Sequence, residues 1–476
     1  MRNPTHFLGR PAGCRKVHDW LRQARGWPRW LCAGATVLLL LVSSPVCRAQ
    51  AGEDGAPIES SNYNVDAAQG PISGSTRVIG LAGAFVAIAE GADGVAWSPA
   101  ASAVRLPYSR ARWDYDISLD IAFGGWLPNS DFLNRGESDE DAEVHQRSLV
   151  FGSLAGTVYY RHAGVGVAAE ARRQALERDS TTAGLAPASL TANYGVLHLS
   201  MAYGFLDGQL VIGAGPRVTG LSVNGRGSAS DLLAVAGVGA ELGAVFKPHD
   251  APVRLGAVAK SAVNPRSSDV GTAAGPDGEA LWRPEGVTLP WELRVGIAYQ
   301  FGPRALNPRF ISVESRSERL IEQGGARLRS QEALKDRARE RAAESLSKRY
   351  ESRPRPYLLV STELAVIGGS SDSVGLGAAV AGVVERSRSA VAVSPRLGLE
   401  TEVVPHWFKV RGGSYLEPAP THASRLRVHG TVGFDAKLFH WDVFGLLGGF
   451  DGWMLSAALD GARDYVNTAV SVGFWH

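Results

Sequence analysis

The stretch Arg110–Phe123 alternates along its length. Ala111, Trp113, Tyr115, Ile117, Leu119, Ile121 and Phe123 are apolar, and Arg112, Asp114, Asp116, Ser118 and Asp120 stand between them. Extended chain sends successive side chains to opposite faces, so one face is greasy and the other charged. Trp291–Phe301 repeats the pattern, as does Leu426–Leu438; Tyr465–Trp475 follows it less strictly. A soluble sandwich also alternates. Its strands, however, average about 5–6 residues, whereas these approach the roughly 9–11 that a tilted strand needs to cross a bilayer. Trp113, Trp291, Phe301, Trp407, Trp441 and Trp475 stand at or near segment ends, where membrane interfaces hold aromatic rings. The expectation is an all-β fold, a transmembrane antiparallel β-barrel.

Approximate strands fall at 109–123, 149–161, 164–174, 190–204, 208–219, 231–246, 252–262, 289–301, 356–367, 388–403, 407–416, 425–438, 441–459 and 465–475. That is fourteen, and a bacterial single-chain barrel needs an even number. Short connections include His162-Ala163, Leu206-Asp207 and Val404-Pro405-His406; long ones include 124–148, 175–189, 263–288 and 368–387. With both termini in the periplasm, most short turns fall inside and most long loops outside.

Composition suits this reading. Formal net charge is +2, which leaves no general basic face for nucleic acid. Mean hydropathy is −0.05, as alternating strands average out. Past Val42 no apolar stretch is long enough for a membrane helix, which takes about 20 residues.

Residues 1–49 read as a secretory signal. Arg2, Arg10, Arg15, Lys16, Arg22, Arg25 and Arg29 make a basic n-region, Leu31–Val42 an apolar core, and Cys47-Arg48-Ala49-Gln50-Ala51 a small-residue cleavage site. Val46 before Cys47 does not fit a lipoprotein signal. Cys14, Cys32 and Cys47 all lie in the removable segment. The mature chain then has no disulfide, thiolate metal site or cysteine nucleophile, which suits an oxidising compartment.

Between the signal and the first strand, residues 50–108 hold an apolar stretch rich in Gly and Ala, Val78–Val104. Gly80, Gly83 and Ala84 permit close backbone packing, Phe85, Val86 and Ile88 supply bulk, and Trp97-Ser98-Pro99 makes a turn. On pattern alone a buried helix fits equally well. The run RVIGLAGAFVAIAEGADGVAWSPAASA resembles the N-terminal signature of the FadL/TodX group of outer-membrane transporters of hydrophobic compounds and their PorV-like relatives. Ser98 stands where that family has Asn. The segments LPWELRVGIAYQF, SPRLGLETEVVPHWFKVRGGSYLEP and YVNTAVSVGFWH resemble its late strands. The resemblance implies a barrel of fourteen strands with a plug in its lumen, and the candidate plug residues are Gly83, Phe85, Ile88, Trp97 and Pro99. It also implies a C-terminal signal for the barrel assembly machinery at Phe474 and Trp475, with Trp475 and His476 an atypical ending.

One connection breaks the pattern. Glu314–Tyr350, in the place of a periplasmic turn, is dense in Arg and Glu. Leu334, Ala338, Ala342, Leu346 and Tyr350 recur every four residues, which predicts a helix with one apolar stripe over the second half. Glu344 with Lys348 is its attractive pair. The helix reads as a solvated element first and as a docking arm for a periplasmic protein second.

No phosphate loop, dinucleotide glycine motif or clustered His/Asp metal spacing is present, so neither cofactor nor metal is expected. His198 and Ser200 share a strand face that points inward. Some outer-membrane lipid deacylases pair such residues with a carboxylate, but no Glu or Asp is assignable, and a histidine near a serine by chance is the preferred reading. Glu137–Asp141 is an acidic loop that could bridge divalent cations; a solvated loop is the preferred reading.

The reading is a Gram-negative outer-membrane barrel over 109–476, without enzymatic activity. The family resemblance implies passive uptake of long-chain fatty acids or other hydrophobic compounds, with outer-membrane lipid around it. The alternative is a non-transporting PorV-like scaffold or shuttle for secreted partners.

Overall fold

A computed structural model describes residues 52–475 except 68–69, 108, 125–129, 136–143, 180–183, 226–230, 269–270, 275–279, 324–331, 371, 422–424 and 440–451. The signal segment 1–49, the acidic loop Glu137–Asp141, Trp441 and His476 lie outside the described residues.

A short strand, β1 (Asn64–Asp66), precedes a segment carrying α1 (Thr76–Gly80), α2 (Gly91–Gly94) and a 3-10 helix (Pro99–Ala103). Long strands follow: β2 (Trp113–Gly124), β3 (Val144–Tyr160), β4 (Ala163–Arg178), β5 (Ala188–Phe205), β6 (Leu210–Gly225), β7 (Asp231–Phe246) and β8 (Val253–Lys260). Short strands β9 (Gly271–Ala274), β10 (Ala280–Arg283) and β11 (Gly286–Thr288) lead to β12 (Glu292–Phe301). Helices α3 (Val313–Gln323) and α4 (Glu332–Glu351) come before β13 (Leu358–Ile367). Then come β14 (Ser373–Gly375), α5 (Leu376–Ala381), β15 (Ala392–Val404), β16 (Phe408–Glu417), β17 (Arg427–Lys437), β18 (Trp453–Ala462) and β19 (Tyr465–Phe474).

The long strands close into one antiparallel barrel of 14, with β19 pairing β2 from Asn467–Gly124 to Val472–Leu119. Every strand expected from the alternation is present, and β7 has the expected bounds. The pleat explains the two faces. Leu119, Leu154 and Met201 point outward and are about half to two-thirds exposed, while Asp116, Asp120, His198 and Ser200 point inward and are buried. This outer band is the lipid-facing surface of a membrane barrel, since water would not tolerate so much exposed apolar side chain.

Short turns at 161–162, 206–209 and 405–407 share one end with α3, α4 and the C-terminus; the long connections after β2, β4, β8 and β13 share the other. Trp113, Tyr160, Tyr203, Phe205, Tyr299, Phe301 and Trp407 form an exposed aromatic girdle at the short-turn end. Trp475 does not belong to it. It is fully buried, with the Lys409 ammonium 4.4 Å above its ring. Trp291 is half-buried against Gly368.

The N-terminal part corrects one expectation. The described chain does not start at the short-turn end. β1 pairs in parallel with β11 and β14, Val65 opposite Val287 and Val374, and both partners lie in long loops. The chain therefore enters at the long-loop end and runs down the lumen to β2. An apolar core of Ile58, Tyr63, Val65, Leu233, Val287 and Val374 fills the long-loop end.

The insertion is helical in both halves, not only the second. Ala338, Ala342, Leu346 and Tyr350 are buried, so the stripe is spent inside the chain. Lys348 and Glu344 pair at 2.7 Å as expected.

Candidate functional site

The segment from Ile72 to Val104 is almost wholly buried inside the barrel. Its turns are tight, so many backbone N–H groups lack helical partners and need acceptors. Inward carboxylates of the wall supply them. Glu363 Oε2 accepts from the N–H of Phe85 at 3.1 Å and of Val86 at 2.8 Å, and from Trp97 Nε1 at 3.2 Å. Asp116 accepts from Ala92 N at 2.7 Å, and Asp120 from Thr76 N at 2.9 Å. Lys260 donates to the Ala96 carbonyl at 2.8 Å. Charge is balanced locally: Arg396 meets Glu363 at 2.9 Å, and Arg77 bridges Glu90 and Glu400 at 3.1 Å each.

The wall makes room with glycines. A Cβ on Gly164 would overlap the Ser102 carbonyl, one on Gly213 would sit 2.5 Å from Pro99, and one on Gly398 2.7 Å from the Leu81 carbonyl. These strand glycines mark close backbone approach.

The candidate plug residues fall into two groups. Phe85, Ile88 and Trp97 join one buried cluster. Gly83 lies beside it with φ +69, and a Cβ there would press on Ile72 and Arg396. The Trp97 ring lies between guanidinium groups, Arg294 at 4.1 Å and Arg396 at 5.5 Å, a cation–π arrangement. Pro99 begins the 3-10 helix against the neighbouring part of the wall, at Gly213 of β6 and Gly243 of β7. Phe474 packs with Leu106 and Tyr350, and Trp475 N donates to the Gly452 carbonyl at 2.9 Å.

Above the plug, at the long-loop end, lies an apolar pocket of about 390 Å³ that the sequence reading missed. Its walls come from Ile58, Leu190, Leu232, Leu233, Leu281 and Leu376, with Glu59, Arg178 and Arg283 the charged residues among them. Arg178 is buried and donates to the carbonyls of Ala186 at 2.9 Å and Val380 at 3.2 Å. The Tyr63 hydroxyl donates to the Trp282 carbonyl at 2.7 Å, and burial pushes its phenol up. Five distant stretches of chain build this pocket, so no local motif announces it. Between pocket and plug is a polar space of about 190 Å³ lined by Trp97, Arg172, Arg294, Arg396 and Glu292.

Leu232 and Leu233 lie at the upper end of β7, well beyond the point where its ladder with β8 stops. β7 pairs β8 only from Glu241–Lys260 to Phe246–Leu255. Above that, the non-strand segment after β8 covers β7: Ser261 N donates to Ala240 O at 2.9 Å, and Val263 lies close to Gly237 and Gly239.

The structure supplies carboxylates near His198, which the sequence reading could not. Nδ1 is 3.0 Å from Glu241, and Nε2 is 3.6 Å from Glu170. Ser200 Oγ, however, bonds Ser102 Oγ and the Gly166 carbonyl. The serine serves the plug contact. Among the described residues no group of His, Cys, Asp and Glu is placed to hold a metal ion.

No family model and no curated protein matches the chain. Solved structures similar to it include a Pseudomonas aeruginosa FadL homologue, at 12% identity over 86% of this chain and 100% of that one, with a TM-score of 0.49. The Pseudomonas putida toluene transporter TodX aligns at 12% identity over 86% and 99%, with a TM-score of 0.48. The monoaromatic hydrocarbon channel CymD aligns at 12% over 84% and 96%, with a TM-score of 0.44.

Proposed function

We propose that the chain is an outer-membrane channel of the FadL/TodX type that takes up hydrophobic small molecules passively. The observation that carries this reading is the apolar pocket at the long-loop end, bounded by the part of β7 that lacks a β8 partner. Its volume is within the range of small-molecule sites. A greasy molecule enters there from the loops. The charged space and plug below it oppose straight passage, because desolvated Arg and Glu side chains offer no apolar path. The ligand passes Leu232 and Leu233 and leaves sideways where β7 lacks a β8 partner, by displacing the 261–267 segment, which bonds β7 through Ser261 at Ala240. Long-chain fatty acids are the proposed cargo, with Arg178 and Arg283 beside the pocket to receive a carboxylate; aromatic hydrocarbons are the neutral comparison.

On the same reading, residues 1–49 are the export signal, Gly83, Phe85, Ile88, Trp97 and Pro99 belong to the seal, and Phe474 and Trp475 end the strand read by the barrel assembly machinery.

Liposome uptake of a labelled fatty acid and of a labelled aromatic hydrocarbon tests the proposal. Uptake above an unrelated barrel, lost in Leu233→Glu, is the expected result. No uptake, together with a periplasmic protein cross-linked to α4, would establish the scaffold role instead.

A further inference from the structure

A second cavity, of about 220 Å³, lies at the short-turn end, opposite the apolar pocket. Three parts of the chain bring cations to it. Arg105 and Arg110 come from the approach to β2, Lys247 and Arg254 from the β7–β8 turn and its edge, and Arg309, Arg349 and Arg353 from the helical insertion and its flanks. One carboxylate, Asp250, shares the lining.

Most of this charge is not neutralised within the protein. Arg254 pairs with Glu90 at 2.8 Å, and Arg309 with Asp207 at 2.6 Å. Among the described residues, Arg105, Lys247, Arg349 and Arg353 have no carboxylate within ion-pair distance. Arg105 is held rigid by neutral groups: Nε donates to Arg161 O at 2.7 Å, Nη1 to Ser109 Oγ at 2.6 Å and Ala111 O at 2.9 Å, and Nη2 to Arg112 O at 2.6 Å. Its guanidinium carbon lies 4.2 Å from the Phe310 ring centre. These dipoles fix its position without cancelling its charge. Arg353 donates to Ala305 O at 3.1 Å. Burial lowers Lys247 to about 8, with Arg254 and Arg105 adding repulsion and Glu90 opposing it. Burial likewise lowers Arg105 and Arg353 to about 10. Partly desolvated cations are stabilised by a bound anion.

We infer that this cavity binds a phosphate-bearing ligand, with the phosphate between Arg105, Lys247, Arg349 and Arg353. A tetrahedral, multiply charged group offers oxygens to cations arriving from several sides. A planar carboxylate is satisfied by a single arginine fork. Leu106, Phe310, Ile311, Leu346 and Tyr350 complete the lining, so an apolar portion next to the phosphate has a place to rest. The site needs the insertion, since Leu346 to Arg353 form one of its walls, and it gives that insertion a role. It stands independently of the cargo proposed for the other end.

The test is calorimetric titration of the purified full-length barrel with inorganic phosphate, dihexanoyl phosphatidate and octanoate. Lys247→Met and Arg349→Gln should each weaken phosphatidate binding about tenfold, as loss of a charge-assisted bond does. Lys348→Ala, exposed and paired with Glu344, should not change it. Arg349 is exposed, so its variant reads out even if Lys247→Met fails to fold. Equal binding of inorganic phosphate would make a free phosphate ester the source. Binding of phosphatidate alone would make it a lipid headgroup. No millimolar binding of either, or octanoate binding as tightly with the same variant losses, would overturn the assignment.

Discussion

Asp116 and Leu119 sit on one strand and face opposite media. Leu119 is about half exposed on the outer band and Asp116 is buried against the plug. Leu119→Arg should lower the yield of folded barrel, because an arginine near mid-membrane costs about 2–4 kcal/mol. Asp116→Ala should leave that yield intact, since no ladder bond is touched. The cost falls inside the lumen instead, because Ala92 N would lose its acceptor, about 1–3 kcal/mol. Faster hydrogen exchange at Ala92 in an otherwise folded barrel is the expected reading. Equal folding losses in both variants would mean that the faces are inverted. The outward or inward sense of each residue was legible from alternation. What each inward group holds was not, because Glu363 and Val86 meet from opposite ends of the sequence.

The lumen segment and the wall fit by backbone contact rather than by large side chains. Gly164→Ala should therefore push on the Ser102 carbonyl and raise conductance in planar bilayers, while the barrel itself stays closed. Gly152→Ala is the control, since a Cβ there meets nothing within 4 Å. Equal conductance of the two variants would show that the segment yields without opening a path. The α4 stripe was legible as a four-residue repeat, and so was its Glu344–Lys348 pair. Its burial was not, because the barrel end that receives the helix pair is assembled from remote turns.

A closed ladder satisfies its own backbone, so the whole protein should resist detergent and run faster on a gel unboiled than boiled. Deleting 78–104 should leave that shift in place and open the lumen fully, whereas Phe85→Ala with Trp97→Ala should leak in part. A folded deletion variant that conducts no more than wild type would remove the segment from the role of seal. Failure of the deletion variant to fold would instead make the segment a structural core of the barrel. The alternation by itself determined the class of fold, the strand count and the lipid-facing side chains, because a period of two is a local property that a bilayer reads directly. Tertiary structure alone decided where the N-terminal segment enters, since strands of three residues, such as β1, β11 and β14, carry too little pattern to be read. It alone decided the two cavities as well. Each is lined by residues far apart in the chain, and it is their convergence in space, not any spacing along the sequence, that makes one end greasy and the other cationic.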